Sequence, residues 1–288
     1  MPELPEVQTT VSGLDKVLRN LTIKDVWTDY NSPYFYESDN IKDPKYFKYF
    51  KKRIIGLKIL NVTRRAKNVL INLSNNYTIL IHMKMTGHIM YGDYNKTDPY
   101  NRFIHMIITL SNGKTMELCD TRKFAKITLI ETNKMNESIH LKDIGPEPLE
   151  ESFTFERFKE RLYIKSKTKI KLVLLDQEII AGIGNIYSDE SLWRSSIHPE
   201  TLVNKISDRK LKDLYKAIRI TLLKGIDFGG DSMSDYRNIH GERGKFQEEH
   251  KAYRKTGTKC SKQNCKGKII RIIVGTRSTH LCNIHQQK

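Results

Sequence analysis

The first seven residues, MPELPEV, place an amine and two carboxylates close to the chain terminus. Removal of Met1 would expose Pro2 as a secondary α-amine. An α-amino group titrates near about 7.7 to 8.0 and a lysine near about 10.4, so much more of the α-amine is unprotonated at pH 7. An unprotonated amine can attack an electrophilic carbon, and the sequence therefore predicts a nucleophile at Pro2.

The same segment also suits a simple helix start. Pro5 lies where the first turn of a helix tolerates proline, and early carboxylates are favourable at that end. Glu6 falls one turn into the predicted helix, where it can hydrogen-bond the terminus or a water molecule. The segment alone does not separate the structural interpretation from the catalytic one.

Cysteine and histidine near the carboxyl end have a spacing typical of metal ligands. Cys260, Cys265, Cys282 and His285 form the pattern C-x4-C-x16-C-x2-H. The intervening KIIRIIVGTRSTHLC predicts a β-hairpin with a central glycine turn, and such a hairpin can bring two ligand pairs to one tetrahedral zinc. We expect one structural Zn²⁺. His280 is a competing ligand, less convenient because it lies inside the second predicted strand.

The charge balance indicates a polyanionic partner. Lys and Arg total 50 against 33 Asp and Glu, which gives a formal net charge of +17. Residues 251–288 hold ten basic residues and no acidic one, without the amphipathic helix pattern of a membrane-surface segment. The amino terminus has no signal-peptide pattern, and no apolar run reaches membrane-spanning length. We expect a cytoplasmic, nucleoid-associated monomer that binds no membrane.

Two parts of the chain, which differ in their hydrophobic periodicity, must position these residues. After a helix with an apolar stripe at 5–19, the first half alternates short β-like runs with turn signals. These runs lie at 21–27, 54–62, 69–73, 77–83, 103–110, 115–119 and 126–130. The second half has helical periodicity, at 155–162, 169–175, 186–195 and 207–228. The chain is therefore predicted to be an α+β multidomain protein that begins with an antiparallel β-sandwich.

Composition also predicts the boundaries between these parts. We expect a catalytic β-sandwich domain at 1–131, a polar linker at 132–150, a helical DNA-binding domain at 151–230, a loop at 231–250 and a zinc finger at 251–288. The loop is expected to be mobile because 231–245 lacks periodicity and is rich in turn-forming residues.

Eight short pieces, in order along the chain, resemble the bacterial formamidopyrimidine-DNA glycosylase family. They are MPELPEV, RRAKNVLINL, HMKMTGH, DTRKFA, GPEPL, AGIGNIYSDE, IHPE and GKFQEE, and the terminal finger follows them. The resemblance implies a β-sandwich, a helix-two-turn-helix domain and a β-hairpin zinc finger that together bind damaged double-stranded DNA. It also implies excision of a damaged base followed by strand cleavage, with 231–250 as a lesion-recognition loop.

The resemblance assigns roles to the amino terminus. Pro2 would attack the sugar C1′, displace the damaged base and leave an iminium that permits β- and then δ-elimination. Glu3 would protonate the sugar ring oxygen and shuttle protons. Lys67 would be an active-site lysine that reaches a phosphate beside the lesion. Glu6 would support the amino-terminal residues.

Further residues are assigned to DNA contact by the resemblance. Extruding a nucleotide leaves a hole in the stack that the protein must fill. Met85, Arg122 and Phe124 would fill it, with the guanidinium pairing with the orphaned base. The other DNA contacts implied are those of His82, Asn185, Tyr236 and Arg277.

Smaller details favour one substrate branch. Leu4 stands where the endonuclease VIII branch usually has Gly, so oxidised purines such as 8-oxoguanine and formamidopyrimidines are the first expectation. Three features depart from the family pattern: Gln8 in place of a common Glu, the spacing and terminal His of the finger, and the sequence of the 231–245 loop. Two alternatives stay open, specificity for oxidised pyrimidines and a non-catalytic zinc protein that binds damaged DNA.

Overall fold

The structure, a computed structural model, describes residues 1–93, 99–233 and 235–288. Residues 94–98 of the predicted sandwich domain and Ser234 of the predicted loop lie outside these ranges. The helices are α1 (Leu4–Leu18), α2 (Pro44–Ile54), α3 (Phe155–Tyr163), α4 (Ile170–Leu175), α5 (Asn185–Ser195) and α6 (Asp208–Asp227). The strands are β1 (Ile23–Thr28), β2 (Ile59–Arg65), β3 (Asn68–Leu73), β4 (Tyr77–His82), β5 (His88–Gly92), β6 (Ile104–Leu110), β7 (Thr115–Cys119), β8 (Lys126–Glu131), β9 (Ile269–Val274) and β10 (Arg277–Cys282).

All five helices predicted from periodicity are confirmed to within one residue at each end. Helix α1 buries the stripe of Val7, Val11, Leu14 and Leu18, as its 3.6-residue spacing requires. In α6 the Ser207 side chain accepts a hydrogen bond from the backbone of the first turn, which caps the helix.

The N-terminal β-sandwich is also confirmed. Two four-stranded antiparallel sheets have the orders β1-β6-β7-β5 and β2-β3-β4-β8. Their facing apolar side chains share one core with α1, in which residues such as Val26, Ile71, Ile79 and Ile108 are almost fully buried. The register places His82 opposite both Asn68 on β3 and Lys126 on β8, at the end of the second sheet.

One predicted strand was wrong at its start, and α2 was missed. The sequence predicts a strand from 54, but Ile54 ends α2 and β2 begins at Ile59. Asp43 caps α2 by accepting from the Lys45 backbone N–H, and Pro44 occupies the first turn. Phe50 and Ile54 are buried on this helix and Tyr46 packs against the same core, so an apolar stripe at helical spacing is present among its many lysines.

The chain forms two compact units. One comprises 1–142 together with 229–245, and the other comprises 143–228 together with 246–288. The segment 229–245 belongs with the sandwich because Ile239 is buried in the sandwich core, where it contacts Gly13 of α1. The first unit is therefore discontinuous in sequence.

In the second unit, β9 and β10 pair as the predicted hairpin, with Arg277 opposite Val274 beside the turn. Strand β10 packs against α5, which in turn packs against α4 and α6. None of the helices in the described ranges has the length and apolar composition needed to cross a membrane.

Candidate functional site

The amino-terminal residues lie at the first turn of α1. Glu3 is the N-cap residue, with extended backbone, and both it and Pro2 are buried. The backbone N–H of Glu3 donates to Glu6 Oε2 at 2.7 Å, so Glu6 does bond the terminus as the sequence predicts. This capping box fixes the direction in which Pro2 leaves the helix.

Glu6 also holds the segment that returns after α6. Its Oε1 accepts the backbone N–H of Asp231 at 2.7 Å, and its backbone carbonyl accepts the Tyr236 hydroxyl at 3.0 Å. Tyr236 is buried, and burial raises its pKa well above the usual range, so the hydroxyl stays a donor. The side chain of Tyr236 therefore supports α1 in this conformation.

Gly230 lets this segment approach α1 closely. Its φ of +85° belongs to the left-handed region, and a Cβ at this position would lie 2.9 Å from Glu6 Cγ and 3.1 Å from the Tyr236 ring. Only glycine combines this backbone conformation with this space.

Lys67 lies in the tight turn between β2 and β3. The turn places Ala66 at φ 53°, an uncommon conformation for a residue with a side chain. Arg64 braces it by donating from Nη1 to the Ala66 carbonyl (3.0 Å) and from Nε to Gln8 Oε1 (2.9 Å). Gln8, a departure from the family pattern, thus still accepts from this arginine through its amide oxygen. Lys67 is buried, 6% exposed.

His82 ends β4 as a neutral hydrogen-bond donor. Burial, assisted by the charges of Lys84 and Lys67, lowers its pKa to about 3. Its Nδ1 accepts the backbone N–H of Lys84 at 3.0 Å, so the ring proton is on Nε2. A neutral imidazole with Nε2–H can donate to a phosphate oxygen without changing its charge.

The predicted void-filling residues are exposed. Met85 is 39% and Phe124 is 49% exposed, so neither is a core residue, and the Arg122 guanidinium carbon lies 4.5 Å from the centre of the Phe124 ring. Sequence reasoning missed the residue that shapes their turn, Asp120, which is fully buried. It accepts the backbone N–H of Ala125 at 2.7 Å and the hydroxyl of Thr86. An Asp at the start of DTRK is the turn signal that could have identified it.

Met85, Arg122 and Phe124 line one groove in the first unit, with a volume of about 580 Å³. Met1, which precedes the predicted nucleophile, lines this groove together with Met85, Arg122 and Phe124. The fold therefore brings the amino terminus and the predicted wedge to one surface.

In the second unit, α5 and the hairpin are joined at two of the predicted phosphate contacts. Asn185 Nδ2 donates to the Ser278 carbonyl of β10 at 2.9 Å, so the side chain is tied to the hairpin. Arg277, the neighbour of Ser278, is exposed at the start of β10. Phosphate contacts from these two positions would therefore move together.

A buried charge network supports this junction and was not predicted. Lys171 Nζ donates to Asp189 Oδ1 at 2.5 Å, and both side chains are fully buried. The second carboxylate oxygen, Asp189 Oδ2, accepts from the His280 backbone (2.9 Å) and contacts Nδ1 of its ring (3.1 Å). His280 thus faces α5. A lone lysine in an apolar helix, as in IKLVLL, is the signal that could have suggested a buried partner.

The cluster of Cys260, Cys265, Cys282 and His285 is assembled as the spacing predicts. The four candidate ligand atoms lie within 4.8 Å of one another. Two atoms about 2.3 Å from a zinc at tetrahedral angles are about 3.8 Å apart, so the cluster has the dimensions of a metal site. His285 Nδ1 faces the sulfurs, 3.4 Å from Cys260 Sγ, and Nε2 donates to the Trp193 carbonyl at 3.2 Å.

The surroundings of the sulfurs also suit a metal. The backbone N–H of Gly267 points at Cys265 Sγ (3.4 Å), and that of Ile284 points at Cys282 Sγ (3.5 Å). Such N–H groups stabilise thiolates. A Cβ on Gly267 would lie 2.5 Å from Cys282 Sγ, so only glycine leaves room there. The donor set is closed by four protein ligands.

Comparisons with known proteins cover both units. Residues 1–127 match the formamidopyrimidine-DNA glycosylase N-terminal domain, and residues 144–237 match the formamidopyrimidine-DNA glycosylase H2TH domain. The chain is 39% identical to the formamidopyrimidine-DNA glycosylase of Pelotomaculum thermopropionicum over 98% of each chain. It is 36% identical to that of Bacillus subtilis over 100% of each chain.

Solved structures give the same result. The Lactococcus lactis Fpg in complex with an abasic site containing DNA has a TM-score of 0.87 and 34% identity, covering 99% of this chain and 100% of that one. A mutant of the same protein in complex with a Fapy-dG containing DNA has a TM-score of 0.88 at 34% identity, with 100% of both chains covered. The resemblance stated from short sequence pieces is thereby confirmed.

Proposed function

Because this chain belongs to the formamidopyrimidine-DNA glycosylase family, we propose that it excises oxidised purines, such as 8-oxoguanine and formamidopyrimidines, from duplex DNA. It then cleaves the strand at the abasic site. The observation that carries this proposal is the position of Pro2, buried immediately before the N-cap residue of α1 and next to the buried Glu3 carboxylate.

This position favours a nucleophilic amine. The amino end of a helix carries partial positive charge, which disfavours an ammonium there and so favours the unprotonated form of a Pro2 amine once Met1 is removed. A secondary amine has one lone pair to donate, and the capping box of Glu3 and Glu6 fixes where it points.

The chemistry proceeds by covalent catalysis. The Pro2 nitrogen lone pair forms a bond to C1′, and the glycosidic electron pair leaves with the damaged base, which takes up the proton released by the Pro2 nitrogen. Glu3 protonates the sugar ring oxygen, so the ring opens to an iminium. Loss of a C2′ proton then expels the 3′ phosphate, and a second elimination expels the 5′ phosphate. Water finally releases the amine.

Other residues bind and deform the DNA. Lys67 and the Nε2–H of His82 contact phosphates near the lesion in the first unit, and Asn185 and Arg277 contact phosphates through the second unit. Met85, Arg122 and Phe124 fill the space of the extruded nucleotide. Tyr236 is assigned to the lesion-recognition loop, which it anchors to α1.

The Cys₃His cluster holds one structural zinc. Bound there, the metal would supply a cross-link that folds the hairpin, because four protein ligands leave no position for a reactive water. Cys260, Cys265, Cys282 and His285 would hold it, and Arg277 would depend on the folded hairpin for its aim.

The proposal is tested by trapping with borohydride. The protein lacking Met1 is incubated with duplex DNA containing 8-oxoguanine opposite cytosine, and a reduced covalent complex is expected. A variant with one residue added ahead of Pro2 should bind this DNA but form no complex. Normal trapping by the blocked variant would show that another residue is the nucleophile, with Lys67 as the next candidate.

Two further measurements sharpen the result. Glu3→Gln should retain DNA binding and lose base excision, since the amide cannot donate the proton. Parallel DNA containing an oxidised pyrimidine measures the lesion choice, and faster excision of that lesion than of 8-oxoguanine would contradict the purine assignment. Binding without excision of either lesion would favour the non-catalytic alternative.

A further inference from the structure

The loop of residues 30–42, which we call the aromatic loop, carries side chains that the assigned DNA contacts do not include. Tyr34 is 96% exposed and Tyr36 is 55% exposed, whereas Tyr30 is buried. An aromatic ring held almost entirely in solvent loses the apolar contacts that burial would provide. Its position therefore needs a reason outside the core.

The aromatic loop is a built structure. A short 3-10 helix spans Pro33–Phe35, and the Ser32 backbone N–H donates to the Lys42 carbonyl at 3.2 Å, which closes the loop on itself. Asp43 Oδ2 accepts the Glu37 backbone N–H at 2.8 Å. Tyr34 is thus presented from a closed loop whose backbone is already hydrogen-bonded.

Lys42 joins this loop to the turn that carries the wedge residues. Its ammonium lies 4.6 Å from the Phe35 ring centre and 5.1 Å from that of Tyr30. The same ammonium donates to the Lys123 carbonyl at 2.5 Å, between Arg122 and Phe124 in sequence. Lys42 is therefore a positioning residue that sets the aromatic loop beside the wedge.

The loop and the wedge line the same groove of about 580 Å³. Tyr34 and Phe35 form one part of its wall, and Met85, Arg122 and Phe124 form another. The other charged residues of its lining are Lys42, Lys84 and Lys123, and none of the described residues that line it is acidic. Lys123 is partly neutralised by Asp29, 3.2 Å away. The groove suits an aromatic, negatively charged ligand.

We propose that Tyr34 and Phe35 form a stacking site for the nucleobase of the opposite strand that loses its partner when the lesion is extruded. This inference rests on the proposed function, since it requires that the wedge enters the duplex beside that base. Nucleobases stack on aromatic rings regardless of sequence, and the more accessible lysines of the groove, Lys84 and Lys123, attract the adjoining phosphates. Arg122 reads the edge of the base while the aromatic loop covers its face.

The test uses a stable abasic analogue, tetrahydrofuran, so that binding is measured without catalysis. One duplex carries cytosine opposite the analogue, and a second carries another tetrahydrofuran there and so has no opposite base. Tyr34→Ala should weaken binding to the first duplex by about 5-fold or more, and to the second by less than about 2-fold. Tyr34→Trp should restore binding to the first duplex.

Tyr36→Ala is the matched control, because Tyr36 is also exposed on the loop but does not line the groove. It should leave binding to both duplexes unchanged. Equal weakening on both duplexes by Tyr34→Ala would show a backbone contact and overturn base stacking. No weakening on either duplex would overturn it as well.

The failure of the proposed function gives a different pattern. If wild-type protein binds the cytosine duplex with the expected Tyr34 dependence but gives no borohydride-trapped complex, the nucleophile assignment fails and the stacking site stands. If wild-type protein shows no preference for tetrahydrofuran DNA over undamaged DNA, the extruded state does not form and the stacking site is overturned with it.

Discussion

Glu6 Oε1 accepts the backbone N–H of Asp231 at 2.7 Å, joining the first turn of α1 to a segment 225 positions later in the chain. The other oxygen of the same carboxylate accepts from Glu3 at the N-cap. One side chain therefore connects the predicted nucleophile's support to the predicted lesion-recognition loop. A shift at the start of this loop would also displace the amino terminus, because the same carboxylate bonds both segments.

This relationship predicts a specific intolerance at Gly230. Gly230→Ala should destabilise the protein by about 2 kcal/mol or more, because the new Cβ adds a close contact with Glu6 Cγ to the strain of a positive φ. Urea denaturation of the whole protein measures the loss.

Gly113→Ala is the control for the backbone term. Gly113 has nearly the same φ, +83°, but open space around its Cβ position. Gly113→Ala should lower the free energy of unfolding by about 1 kcal/mol. Equal losses for the two variants would mean that the contact between Gly230 and Glu6 does not matter.

The wedge residues should affect extrusion and leave stability unchanged. Met85→Ala and Phe124→Ala remove exposed side chains, so each should change unfolding free energy by less than about 0.5 kcal/mol. Each should slow excision of a paired 8-oxoguanine more than cleavage at a preformed abasic site, where less unstacking is required. Single-turnover rates on the two substrates give the ratio, and Leu60→Ala, also exposed on the first unit, should leave it unchanged. Similar slowing on both substrates would count against a wedge role.

Much of this arrangement could be predicted because it depends on local patterns. The stripe in α1 follows the period of its helix, and the ligands of the finger form two short pairs separated by one hairpin. Helix α2 was missed because its stripe of Tyr46, Phe50 and Ile54 lies among many lysines and runs into the apolar segment that predicted a strand from 54. The link of Lys42 to Lys123 and the burial of Lys171 against Asp189 depend on pairings distant in sequence, for which no single segment carries a signal.

His82 should give the protein a measurable acid sensitivity. Its pKa is lowered to about 3 by burial and by nearby lysines, while in the unfolded chain it is near about 6.5. Between these values the unfolded state binds more protons than the folded state. The contribution of His82 to the free energy of unfolding is therefore fully present above about pH 6.5 and is lost as the pH falls towards 3. His82→Gln should reduce the loss between pH 7 and 5 by about 1 to 2 kcal/mol.

The acid effect is measured by urea denaturation at the two pH values. His240→Gln, at an exposed position, serves as the control and should follow the wild type. Phosphate binding through Nε2–H should persist across this range, because His82 stays neutral in the folded protein. A parallel pH dependence in His82→Gln and wild type would contradict the assignment.

The finger should separate metal binding from lesion choice. Cys282→Ser, or removal of metal with a chelator, should weaken binding to all duplex DNA and reduce its salt dependence, with lesion preference unchanged. His285→Cys should keep the metal. His280→Ala should also keep it, since that ring faces Asp189 at 3.1 Å.

Elemental analysis of each purified variant checks this ligand set. Zinc below about half an equivalent in the wild type would contradict a structural site. Loss of zinc in His280→Ala, with retention in His285→Ala, would show that His280 is the fourth ligand and His285 is not.

The discontinuity of the first unit has a consequence for synthesis on the ribosome. Residues 229–245 complete the unit that begins with α1, but 143–228 must be translated before them. At about 5 to 20 residues per second this delay lasts roughly 4 to 17 s. During that interval the surface around Gly13, which Ile239 later covers, is open to solvent and to chaperones. The nascent sandwich can form its sheets early, yet its amino terminus acquires its final environment only near the end of translation.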